Sequence, residues 1–191
     1  MLMSQLHVMI DIEAFGQDFP VQLGLVAFTK DRTYEELELK IEPTTVHGTP
    51  DVNTIMWWLQ QGETARERVY NRNGQVSLKT AAKALKAYWE NVEAKNLDMG
   101  YERTLLWSHA TFDPVVLERG LRASGFAPPW SFRDCRDLRT LYGLDPDVTA
   151  LAYRSWSNAH GMGGDHTAIA DAKKQVYVWQ NVVQALNLNP R

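Results

Sequence analysis

One cysteine, Cys135, is all that the 191-residue chain contains. No internal disulfide and no cysteine-based zinc cluster can form from it, and a lone thiol fits a reducing compartment. Long apolar runs are missing too. None approaches the roughly 20 residues that span a bilayer. The N-terminus shows no basic stretch followed by an apolar segment of secretory length. These absences predict a soluble, cytoplasmic protein that does not bind membranes. An excess of positive charge is also lacking. The chain has 20 Lys and Arg against 23 Asp and Glu, a net charge of −3. That excludes a protein that coats nucleic acid by bulk charge, but not an enzyme that grips one strand end in a local groove. No repeat, low-complexity tract or linker divides the chain. Residues 1–191 therefore read as one domain, and a 45% hydrophobic composition is enough to build its core.

Hydrophobic periodicity orders what is present. Residues 6–12 read as a buried strand, 21–30 as a second and 33–42 as a third, more exposed one. Three strands in quick succession predict an antiparallel meander. Short helices are expected over 51–60 and 63–71, with Asp51 or Asn53 capping the first and Gly62 ending it. The clearest amphipathic helix covers 77–95. There Leu78, Ala81, Ala82, Leu85, Tyr88, Trp89 and Val92 share a stripe and Ser77 is the cap. A fourth strand is expected over 103–108, and a helix from Asp113 to Ala123 with Pro114 in its first turn. A fifth strand near 130–134 and a helix over 135–142 follow. Residues 155–165, around His160, read as loop, and a last helix runs from about 166 to 186. The order predicts an α/β fold, a mixed five-stranded sheet with helices on both faces.

The chemistry is carried by acids. Asp11 and Glu13 lie two apart at the end of an apolar strand, so both side chains leave the same face. Paired carboxylates repel unless a cation lies between them, and hard divalent ions take such oxygen ligands. An isolated Asp-x-Glu is more often a solvated acidic turn. Asp113 follows the fourth strand, where an acid before proline commonly caps a helix. The segment Gly164-Asp165-His166-Thr167-Ala168-Ile169-Ala170-Asp171 holds His166 and Asp171 five apart. Five helical steps leave them ~140° apart, so His166 belongs to the loop or first turn and Asp171 to the helix.

In order and context these pieces resemble the DEDD exonuclease superfamily, in its DEDDh branch, whose fold is RNase H-like. Asp-x-Glu matches the first motif, Phe112-Asp113 the second and His166-x₄-Asp171 the third. The sister branch has Tyr where this chain has Thr167. The stretches Asp11-Ile-Glu-Ala-Phe-Gly16, Thr54-Ile-Met-Trp-Trp58 and Phe132-Arg-Asp-Cys-Arg-Asp-Leu-Arg139, with Gln175, are similar to the DexA-type phage exonucleases and the mycobacterial RNase H-like exoribonuclease family. Ala14 and Ala170 depart from the usual Thr and acid, and neither departure removes a metal ligand.

The resemblance implies a metal-dependent 3′→5′ exonuclease for single-stranded or 3′-overhang nucleic acid, with DNA slightly favoured over RNA. It implies two divalent cations, Mg²⁺ or Mn²⁺. Asp11, Glu13 and Asp171 would hold one, with Asp11 bridging to a second that Asp113 supports. His166 would be the general base. The backbone from Ile12 through Ala14 to Phe15 would approach the last nucleotide, with Phe15 stacking or wedging on a base. Of Trp57 and Trp58, one is core and the other a platform. Phe112 reads as core, and His109 as either a phosphate contact or an ordinary surface histidine. A homodimer is implied by analogy. The other readings are a 3′→5′ exoribonuclease, a hydrolase of nucleotides or short oligonucleotides, and a catalytically inactive RNase H-like module that only binds nucleic acid.

Overall fold

The structure, a computed structural model, describes residues 5–160 and 167–188. Strands β1 (His7–Ala14), β2 (Pro20–Phe28) and β3 (Thr33–Ile41) form the antiparallel meander. Helices α1 (Val52–Leu59), α2 (Glu63–Tyr70) and α3 (Leu78–Asp98) follow. Between α2 and α3, the two-residue strand β4 (Gln75–Val76) pairs with β3. Strand β5 (Leu105–Ser108) runs parallel to β1 and β6 (Cys135–Asp137) parallel to β5, with α4 (Asp113–Ala123) between them. Helices α5 (Leu138–Tyr142), α6 (Pro146–His160) and α7 (Ala168–Ala185) complete the described chain.

The sheet has six strands, in the order β4-β3-β2-β1-β5-β6, where the sequence predicts five. The extra one, β4, is too short to show any periodicity. The last strand also comes later than expected. A capped 3₁₀ turn over Phe132–Asp134 occupies the expected strand, and β6 begins where a helix was expected. Residues 155–160 are helical rather than loop, as the last turns of α6. This helix buries only Ala152 fully. Helix caps follow side-chain chemistry. Asp51 accepts from Thr54 N–H and Ser77 from Thr80 N–H. Gly62 is the N-cap of α2 rather than the end of α1.

Strand β1 is buried on both faces, as an inner strand covered by helices must be. Leu6, Val8, Ile10, Ile12 and Ala14 join one core, with Leu85, Trp89 and Val92 of α3 and Leu117 of α4. Met9 points the other way, into a second core with Trp107, Val176 and Trp179. Strand alternation then puts Asp11 and Glu13 on the α7 side. Among the described residues no helix is long and apolar enough to cross a membrane.

Candidate metal centre and substrate cavity

Three segments deliver four carboxylates to one place. Strand β1 supplies Asp11 and Glu13 near its end. Gly24 faces Asp11 in the β1–β2 ladder. A Cβ on Gly24 would lie 2.4 Å from the backbone of Ala168 and Ile169. The missing side chain lets the start of α7 rest on the sheet beside Asp11, and Asp171 arrives in its first turn. Thr167 caps that turn, accepting from Ala170 N–H at 3.4 Å. Asp113 comes from the start of α4, where Phe112 holds the N-cap position. Instead of capping, its carboxylate accepts from His109 N–H at 2.9 Å and from Ile12 N–H at 3.4 Å. That ties the β5–α4 turn to β1.

The ligand atoms fall into two groups that share Asp11. Oxygens of Asp11, Glu13 and Asp171 lie within 4.8 Å of one another. So do ligand atoms of Asp11, His109 and Asp113. Asp11 and Asp113 are buried. Gln175 of α7, also buried, donates from Nε2 to Asp11 Oδ1 at 2.6 Å. Lys174 pairs with Asp171.

Crowding these acids out of water is unfavourable to their charges. Burial, then the charges of Asp113, Glu13 and Asp171, hold the Asp11 carboxyl well above the usual range. Burial, then the charges of Asp171 and Asp113, push Glu13 up to about 8. Burial raises Asp113 to about 7 against its backbone hydrogen bonds. Burial and then Arg139 lower the pKa of His109, which favours the neutral ring. Oxygen-rich, buried and mutually repelling, the cluster suits hard divalent cations, whose charge removes the repulsion.

A cavity of about 640 Å³, within the usual range for small-ligand sites, opens where the end of β1 meets the start of α4. It is lined by Ala14, next to Glu13, and by Phe112, next to Asp113, with Gly16, Thr49, Thr54 and Arg119 further out. Phe112 is not core: at the N-cap of α4 it is 45% exposed. Phe15, expected beside the last nucleotide, is buried and packs against the rings of Phe19 and Tyr70. Ile12 is likewise buried in its side chain. Trp58 is core, donating from Nε1 to Ala14 O at 3.1 Å, while Trp57 is 48% exposed. His109 stands against Asp113, with Nδ1 3.7 Å from Oδ2. His166 lies outside the described residues. Sequence reasoning missed the cavity wall of Gly16, Thr49, Thr54 and Arg119. Of these, Gly16 had a readable signal, a glycine closely following the first acidic pair.

A mixed sheet of this kind, with converging acids from its central strand, from the helix after β5 and from the last helix, defines the DnaQ-like 3′-5′ exonucleases, a class of nuclease hydrolases. The chain belongs to one family among them: the 3′-5′ exoribonuclease Rv2179c-like domain family matches residues 6–183. Two solved structures of exonuclease I share the fold. One is described as an ExoI/SSB-Ct complex, with 14% identity and a TM-score of 0.61. The other is SSB/exonuclease I in complex with the inhibitor CFAM, with 16% identity and a TM-score of 0.61. Each alignment covers 95% of this chain but 42% of the solved one, so the chain spans less than half the length of those proteins. No curated protein matches.

Proposed function

We propose that the chain removes nucleotides from the 3′ end of single-stranded or 3′-overhang nucleic acid, using two divalent cations, Mg²⁺ or Mn²⁺. One observation carries this reading: buried and half-buried carboxylates from three separate segments meet in two groups that share Asp11. Such ions, when bound, offset charge on the scissile phosphate and acidify water. Asp11, Glu13 and Asp171 would hold one ion and Asp11 with Asp113 the other. Gln175 orients Asp11 through its amide. His166 is the proton acceptor for the attacking water, a role an imidazole fills by general-base catalysis.

The cavity lined by Ala14 and Phe112, the chain neighbours of Glu13 and Asp113, takes the terminal nucleoside. Further along the strand, Trp57 offers an exposed ring on which an upstream base stacks, a mode of binding that does not depend on base identity. RNA is the favoured polymer, because the matching family is described as exoribonucleases.

The test is degradation of matched 3′-overhang RNA and DNA with Mg²⁺, with Mn²⁺ and with EDTA, by wild type and Asp11→Asn. Shortening from the 3′ end, lost with EDTA and in the variant and faster on RNA, is the expected result. A near-wild-type rate in Asp11→Asn sinks the metal-site assignment, and faster loss of DNA overturns the choice of polymer. Binding without degradation would mark an inactive module.

A further inference from the structure

We propose that His109 is itself a metal ligand, completing with Asp11 and Asp113 a second cation position that prefers Mn²⁺ to Mg²⁺. The inference rests on the exonuclease reading and deepens it, by assigning one residue to one ion and a preference to that ion.

The geometry is that of a ligand set. A ring nitrogen of His109 and one oxygen each of Asp11 and Asp113 lie within 4.8 Å of one another. The Nδ1 to Asp113 Oδ2 separation of 3.7 Å is too long for a hydrogen bond. It is just beyond the ~3–3.6 Å between neighbouring donors on one cation with bonds of ~2.0–2.2 Å, a gap that a small turn of the imidazole closes. The backbone around His109 is fixed. Its N–H donates to Asp113 Oδ2 at 2.9 Å, and its carbonyl accepts from Phe112 N–H at 2.8 Å and Asp113 N–H at 3.2 Å. The imidazole therefore starts from a held Cα at the end of β5, and its side chain is only 27% exposed.

Donor chemistry sets the two groups apart. Asp11, Glu13 and Asp171 offer oxygen alone, the set that Mg²⁺ accepts as readily as Mn²⁺. His109 adds nitrogen to the other group. Imidazole binds transition ions better than Mg²⁺, which holds water and oxygen ligands instead. A site with one all-oxygen position and one mixed position thus responds differently to the two metals.

The experiment uses the full chain and Mn²⁺ alone, with no substrate. Calorimetric titration of the metal-free protein should show two binding events, both lost in Asp11→Asn. In His109→Ala the second event should weaken by about tenfold or more while the first stays within about twofold, at least the effect of losing an outer-shell partner. Pulsed electron paramagnetic resonance of the doubly loaded wild type should show a ¹⁴N coupling from a bound imidazole. That coupling should vanish in His109→Ala and persist in His166→Ala. Its absence from doubly loaded wild type, its survival in His109→Ala, or an unchanged second event each overturns the assignment. The wild-type spectrum decides even where a variant fails to fold. Mn²⁺ binding that ignores Asp11→Asn would instead bring down the metal-site reading as a whole.

Discussion

Gly24 lies directly opposite Asp11 across the β1–β2 ladder, and the backbone of Ala168 and Ile169 fills the place its side chain would take. The close approach of α7 to the sheet, and so of Asp171 to Asp11, depends on that glycine. Gly24→Ala should force α7 outward, lowering stability by about 1–3 kcal/mol as overpacking does. It should also weaken Mn²⁺ binding although no ligand is touched. Urea denaturation and calorimetry read both effects, and unchanged metal affinity would show that α7 reaches the site by another route.

The carboxylate cluster makes the metal-free protein sensitive to pH. Glu13 is raised from 4.5 to about 8 and Asp113 from 3.8 to about 7. A raised pKa means that the folded state binds protons more tightly than the unfolded one. This contribution is full below the ordinary pKa values and is lost as pH rises through the folded ones. The Tm of the metal-free protein should therefore carry a falling component between about pH 4.5 and 8. Mn²⁺ should restore it, with a Tm increase that grows over the same interval. A Tm increase independent of pH would mean that Mn²⁺ binds elsewhere.

His7 works in the opposite direction. It is buried among the rings of Phe28, Trp107 and Trp179. Burial, then the charge of Arg136, lowers its pKa from 6.5 to about 4. A depressed pKa gives stability that is full above 6.5 and lost as pH falls towards 4. The loss is roughly 3 kcal/mol. His7→Phe, which keeps an aromatic in the cage, should gain about that much relative to wild type between pH 6.5 and 4. Denaturant unfolding at both pH values checks it.

Phe112→Ala should raise KM for an oligonucleotide about 5- to 100-fold, the range for losing one base–aromatic stack. Phe112→Trp should keep KM near the wild-type value. An Ala variant with unchanged KM would move the terminal base away from this ring.

His166→Ala should lower turnover by roughly 10²–10⁴-fold, the range for loss of a general base. Mn²⁺ affinity should hold, since His166 is proposed as a base and not a ligand. If turnover instead survives in His166→Ala, the proton goes to another group.

Much of this was legible along the chain because it depends on neighbours in sequence. The two-residue period of β1 puts Asp11 and Glu13 on one face, and the stripe from Leu78 to Val92 marks α3. The limits of α4, Asp113 to Ala123, follow from a proline at its start and a clear apolar face. Less was legible where the signal is short or weak. β4 has two residues, and Ser155, Ser157 and Asn158 give the end of α6 a loop-like composition. Phe112 was misplaced because hydrophobicity says that a ring prefers burial, not which ring finds it.

The sequence by itself determined the acids, their order and the elements that carry them, because spacing along a strand or helix sets which way a side chain leaves its own backbone. Only the tertiary structure decided that His109 joins Asp11 and Asp113 and that a cavity opens at Ala14 and Phe112. Those facts depend on how closely β1, α4 and α7 approach. Packing across the sheet sets that distance, down to the missing side chain of Gly24.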